Sequence, residues 1–280
     1  MTVSHAGPRS DARAVLLSNL SWIGLALTGL VCFAACSSSR SSTATPPPST
    51  PAPALVTKLK QVTTLTALGD SVPYGTACDC TPYPQLSAAD IGRVAGHEVT
   101  TRNDAVAGYR SSDVLAQLEH DATVLSDVEH SQVVTVEVGA NDVAHSSTCG
   151  TNVACYEEKI PQLRHNLDAI VARIKQLTSG RAGAIVLLDY WSVWLGGTYA
   201  TQQGQAYVDA ANNVTHSVNN TIREAATANG SLYVDLRTAF RGPDDTWDET
   251  HLLAPDGDHP NAAGHARIAE AIAQTVAARG

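Results

Sequence analysis

Three short stretches of this chain carry the residue types of nucleophilic catalysis. Gly69-Asp70-Ser71 offers a serine in a turn. Gly139-Ala140-Asn141-Asp142 offers a neutral carboxamide, and Asp256-Gly257-Asp258-His259-Pro260 a histidine three residues after an aspartate. A serine hydroxyl is a weak nucleophile at neutral pH and needs an adjacent base. His259 can take that proton and return it to a leaving group. Asp256 can fix the imidazole tautomer and stabilise the imidazolium. Attack on an ester carbonyl builds negative charge on oxygen, to which the amide of Asn141 can donate. Each stretch alone also reads as an ordinary turn or helix start, because Gly, Asp, Ser, Asn and Pro gather there for conformational reasons. Their position relative to the secondary structure separates the two readings.

Short β-rich runs occur at 62–68, 99–105, 133–138, 184–188 and 232–236. Helical spacing lies between them. Residues 157–177 place Ile160, Leu163, Leu167, Ile170, Val171, Ile174 and Leu177 on one stripe. Residues 203–228 and 261–278 are also helical. The segment 111–128 is weaker and reads as two short helices, the first capped by Ser111-Ser112-Asp113. Strand alternating with helix predicts a parallel sheet with helices on both faces. Ligands then bind beyond the carboxyl ends of the strands. The candidate stretches fall there. Gly69-Asp70-Ser71 follows the first run, Ala107-Gly108-Tyr109-Arg110 the second and Gly139 to Asp142 the third, while 254–260 precedes the last helix.

This ordered set resembles the SGNH hydrolases, also called the GDSL family, from about Leu65 to the C-terminus. The G-D-S-x-x-x-G block is Gly69 to Gly75. The glycine of the second block is Gly108 in NDAVAGYRSSD, G-x-N-D is Gly139 to Asp142, and D-x-x-H-P is Asp256 to Pro260. The resemblance implies a three-layer α/β/α fold, flavodoxin-like, around a central, mostly parallel five-stranded sheet. It implies Ser71 as nucleophile, His259 as base and Asp256 as orienting acid, with Asp258 as the rival. The oxyanion donors would be the backbone N–H groups of Ser71 and Gly108 and the side chain of Asn141. Glycine at 108 is expected because a side chain there would block the substrate. The activity implied is that of an esterase or lipase. A carbohydrate or peptidoglycan O-acetylesterase with the same site is the alternative, and an inactive surface-anchored binding protein the reading from another class. No metal or cofactor is expected. Asp70 is expected to hold the turn, Asp142 to bind local backbone, and His145, His251 and His265 to be surface or helix residues.

The segment 189–199, DYWSVWLGGTY, leaves the same sheet edge and is rich in aromatic side chains. Tyr190, Trp191 and Trp194 are candidates for one wall of the substrate pocket, with plain packing as the alternative. Trp247 is the candidate for the opposite rim.

The rest of the chain bounds where this chemistry takes place. Residues 1–13 are polar and basic, residues 14–35 mostly apolar, and Cys36 follows. This is the pattern of an export signal. Phe33-Ala34-Ala35-Cys36 resembles a bacterial lipobox, which makes Cys36 a candidate lipidation site; plain cleavage near Ala35 and a retained anchor are the alternatives. Residues 37–57 form a Ser/Thr/Pro-rich tether, and 58–280 the hydrolase domain. Residues 1–54 hold three Arg and one Asp, so the remainder has 15 basic and 26 acidic residues, a net of −11. Such a surface attracts neither nucleic acid nor anionic lipid, which leaves an ester substrate as partner and the N-terminal lipid or signal anchor as the membrane contact. A monomer, exported and either released or held at the cell surface, is expected. Cys78, Cys80, Cys149 and Cys155 are an even set in an exported chain and predict disulfides. Cys149–Cys155 with Cys78–Cys80 is the favoured pairing; cross-pairing stays open, because a C-x-C bridge is tight.

Overall fold

The computed structural model describes residues 60–179 and 182–278. The predicted signal, Cys36 and the whole tether lie outside them. Five strands, β1 (Thr64–Gly69), β2 (Thr100–Asn103), β3 (Val133–Glu137), β4 (Ala184–Leu188) and β5 (Leu232–Val234), form one sheet in the order β2-β1-β3-β4-β5. Every pairing is parallel, with Ala67 beside Thr135 and Val136 beside Leu187. This is the flavodoxin-like strand order. Every residue of β3 is buried, which requires cover on both faces and explains the β-branched run at 133–136.

The cover comes from two sets of helices. On one face α2 (Tyr83–Ala95) packs against α10 (Ala262–Ala278), with α9 (Leu236–Arg241) beside α10. On the other face α3 (Ser111–His120), α4 (Ala122–Glu129), α6 (Ile160–Leu177) and α8 (Gln205–Ala228) pack in succession. The stripe expected on 157–177 is the buried face of α6, where Leu163, Leu167, Ile170, Val171 and Ile174 are at most 1% exposed. At 25 cal/mol per Å² such a face is worth several kcal/mol, so packing rather than propensity holds the helix.

Several boundaries differ from expectation for local reasons. A short α5 (Val153–Glu157) is separate from α6, whose first turn accommodates Pro161 because a proline there removes no helical hydrogen bond. Gly204 divides α7 (Gly197–Thr201) from α8. Asp235 ends β5 early by accepting from Thr238 N at 2.7 Å, which starts α9 at Leu236. Asp121 joins α3 to α4 by accepting from Thr123 and Val124 N. Ser111 is the first residue of α3 rather than its cap, and Asp113 closes that start by accepting from Arg110 N at 2.9 Å. Both near cysteine pairs are bonded, Cys78–Cys80 and Cys149–Cys155, with Cα atoms 5.0 and 5.8 Å apart.

Candidate active site

Ser71 is the first residue of a four-residue helix, α1 (Ser71–Tyr74), directly beyond β1. Asp70 shapes this turn. Its backbone N–H donates to Glu137 O at 3.1 Å, tying the end of β1 to that of β3. Its Oδ1 accepts from Val72 N at 3.1 Å, and its Oδ2 from the Tyr190 hydroxyl at 2.6 Å. Asp70 is buried, and burial raises its pKa from 3.8 to about 6, against the lowering effect of those two hydrogen bonds. Glu137 lies buried below it, its pKa pushed well up by burial and by the charge of Asp70. Ser71 thus stands on a buried polar scaffold.

Of the oxyanion candidates, Ser71 and Asn141 line one cavity, whereas Gly108 is not among its lining residues and is linked to it through its neighbour Tyr109. The carboxamide Nδ2 of Asn141 donates to Tyr109 O at 3.0 Å, which ties the loop beyond β3 to the loop bearing Gly108. One amide hydrogen remains for a substrate oxygen. Asp142 strengthens the same tie. It accepts from Ser111 N at 2.9 Å and from the Ser111 hydroxyl, which also accepts from Asn166 Nδ2 at 2.8 Å. Asp142 therefore joins two loops instead of binding its own backbone. Gly108 has φ +85, and the place of an added Cβ is open. Its glycine is explained by this left-handed backbone, which a side chain would strain, and not by crowding from the protein. Among the described residues no backbone acceptor takes the N–H of Ser71 or Gly108.

His259 Nδ1 donates to Asp256 Oδ2 at 2.7 Å. Asp256 Oδ1 accepts from the backbone N–H groups of Asp258 and His259, both at 3.1 Å, so one carboxylate builds the turn and orients the ring. Burial opposes its charge, but the bonds from the His259 ring and from both backbones hold its pKa below 3.8. Asp258 makes no such contact with the ring. Ser71, Asn141 and His259 line one cavity of about 370 Å³. No hydrogen bond joins Ser71 Oγ to His259 among the described residues, and such contacts are often long before substrate binds.

Comparison with known proteins places this geometry in a family. The model of the GDSL-like Lipase/Acylhydrolase family matches residues 67–267. The chain belongs to this family. It is a carboxylic ester hydrolase of the GDSL type. Solved structures with the same fold include the lipase Lip_vut3 from a goat rumen metagenome, with TM-score 0.59 and 17% identity over 76% of this chain and 96% of that one. Axe2, an acetylxylan esterase from Geobacillus stearothermophilus, has TM-score 0.53 and 20% identity over 76% and 93%. TesA has TM-score 0.52 and 19% identity over 76% and 97%. No curated protein matches the chain.

In this GDSL-like hydrolase Tyr190, Trp191 and Trp194 line the Ser71 cavity and are also core residues. Helix α8 fixes the backbone they ride on. Asn219 brackets Tyr190 by donating to its O at 2.7 Å and accepting from its N at 3.2 Å. Thr215 Oγ1 accepts from Val193 N, and the Tyr207 hydroxyl from Leu195 N. Trp191 stacks on Phe240 with ring centroids 4.4 Å apart, and Trp194 Nε1 donates to Val143 O at 2.9 Å. Trp247 does not line this cavity. It lies on a neighbouring one of about 200 Å³ that shares Ser192 and Leu195 with the first. Its indole lies against Gly242, where an added Cβ would fall 2.5 Å from the ring.

Three polar lining residues lie outside every motif, His145, Gln203 and Tyr207, and Asp258 of the D-x-x-H-P stretch lines the cavity as well. His145 packs edge-on against Trp194 at 4.8 Å, so it is more than a surface residue. His265 belongs to helix α10 but is fully buried; its Nδ1 accepts from Tyr83 N at 3.2 Å, and burial lowers its pKa to about 4. The sulfurs of Cys78 and Cys80 lie within 4.8 Å of a His265 ring nitrogen. Those sulfurs are spent on a disulfide, so this donor set does not fit a metal ion as it stands.

Proposed function

We propose that the protein is an extracytoplasmic serine esterase that transfers the acyl group to Ser71, with short-acyl esters of a polar, sugar-like alcohol as its substrates. The observation that carries this reading is that His259, held 2.7 Å from Asp256, lines the same cavity as Ser71 and Asn141. In this mechanism His259 takes the Ser71 proton as Oγ attacks the ester carbonyl. The N–H groups of Ser71 and Gly108 and the amide of Asn141 receive the oxyanion. Asp256 stabilises the imidazolium, which then protonates the departing alcohol. A water activated by His259 attacks the acyl-enzyme and releases the carboxylic acid.

A cavity of about 370 Å³ stands near the lower end of the usual range for small-molecule sites, which favours an acyl group of a few carbons. Val193 and Trp194 supply apolar wall, while Gln203, His145 and Asp258 suit an alcohol rich in hydroxyls. One structural neighbour is named as an acetylxylan esterase, which agrees with this class. Export is supported by the apolar run 14–35 and the two disulfides. Among the described residues no helix is long and apolar enough to cross a membrane.

Hydrolysis of p-nitrophenyl esters from acetyl to palmitoyl tests this, with Ser71→Ala beside the wild type. Activity highest at acetyl to butyryl and absent in Ser71→Ala is expected. A palmitoyl optimum would replace the substrate class with lipid, and activity surviving in Ser71→Ala would remove the mechanism. Metabolic labelling with palmitate, lost in Cys36→Ala, tests lipidation.

A further inference from the structure

We propose that the cavity beside Trp247 is a subsite for one neutral six-membered sugar ring of an oligosaccharide whose ester is cleaved at Ser71. This rests on the reading of a sugar-like alcohol given above. Trp247 is 54% exposed, whereas Trp191 and Trp194 are buried. Its backbone N–H donates to Arg241 O at 2.9 Å. A Cβ on Gly242 would fall 2.5 Å from indole atoms Cδ2 and Cε2 and 2.7 Å from Nε1. The glycine backbone therefore lies over one face of the ring. The indole is held by that face and keeps large area open to solvent. A flat, pre-positioned aromatic face of this kind stacks against the C–H face of a pyranose with little ordering cost.

The chemistry around the indole selects a neutral, hydroxyl-bearing ligand. The cavity holds about 200 Å³, roughly the volume of seven waters, a space of monosaccharide size. Its two strongest charges are already spent on protein partners. Arg241 Nη1 donates to both oxygens of Glu249 at 2.7 and 2.9 Å, and its Nε donates to Asp245 at 2.6 Å. Glu249 is buried and also accepts from Gly197 N. No free cation remains there for an anionic ligand among the described residues. Two polar groups do remain. Asp248 Oδ1 is occupied by Thr250, which leaves Oδ2 as an acceptor. Asn212 Oδ1 accepts from Arg237, which leaves Nδ2 as a donor. An acceptor and a donor beside an aromatic face match adjacent sugar hydroxyls. Ser192 and Leu195 border this cavity and the Ser71 cavity alike, so a ring held here sits next to the ester-bearing unit.

The test is calorimetric titration of the full chain carrying Ser71→Ala with xylotetraose, cellotetraose and chitotetraose. Binding of at least one is expected. Adding Trp247→Ala should weaken it by about tenfold or more, and Trp247→Phe should restore part of the loss. Circular dichroism verifies that the variants are folded. No binding of any of the three, or equal affinity in folded Trp247→Ala, would overturn the subsite. Hydrolysis of p-nitrophenyl acetate by the wild-type chain reports separately on the esterase reading. Sugar binding that depends on Trp247 without hydrolysis would refute that reading and leave the subsite standing.

Discussion

Replacing Asp256 with Asn separates the charge of the proposed orienting acid from its turn-building role. An Asn oxygen can still accept from the backbones of Asp258 and His259, so the turn survives. What is lost is the carboxylate 2.7 Å from His259 Nδ1. Opposite charges centred roughly 4 Å apart interact by about 4 kcal/mol at an effective dielectric of 20. The Asp256 side chain is 38% exposed, and solvent screening reduces this to about 2–3 kcal/mol. That corresponds to about 30- to 150-fold in kcat. A misdirected imidazole tautomer adds to the loss, which can reach about 10⁴ in serine triads. The expected kcat for p-nitrophenyl acetate in Asp256→Asn is therefore lower by at least about 30-fold, while Asp258→Asn loses less than about tenfold. A larger loss in Asp258→Asn would refute the reasoning, because it would give the orienting role to the carboxylate that does not touch the ring.

Asn141→Ala should lower kcat by about 10²–10³ with little change in KM, since its amide acts on the developing oxyanion; a pure KM effect would contradict this. Burial raises the Asp70 pKa from 3.8 to about 6, so the folded state binds the extra proton between those values. Stability must then fall as pH rises through that window, by about 3 kcal/mol from this group, and Asp189, raised to about 7, acts in the same direction. Urea midpoints at pH 4 to 8 should show a flatter decline in Asp70→Asn, and an unchanged slope would count against the assignment. Replacing Cys149 and Cys155 with Ser opens a bridge of sequence separation 6 and should cost about 2 kcal/mol in denaturant unfolding, with kcat retained.

The sheet and the stretches that carry the candidate site are legible in the sequence because each depends on local pattern. The β-branched run at 133–136 and the stripe on α6 report burial directly. Ser71, Asn141 and His259 stand beside turn formers whose spacing follows from the fold. Helix α2 escapes such reading because Pro84 and its small residues blur the apolar spacing, although proline is tolerated in a first turn. The Asp142–Ser111 tie spans 31 residues, and no local signal encodes it. Trp247 is an aromatic in a polar loop, and its contact with Gly242 is visible only in three dimensions. His145 reaches the cavity through packing against Trp194, and Gln203 lines it as well, neither with a motif of its own.

The central claim is that Ser71 is the residue acylated. Intact mass and peptide mapping after treatment with a fluorophosphonate test it most directly. One adduct on Ser71, formed at a rate that falls with Asp256→Asn and absent in Ser71→Ala, is the expected result. An adduct on another residue, together with ester hydrolysis that persists in Ser71→Ala, would contradict the account.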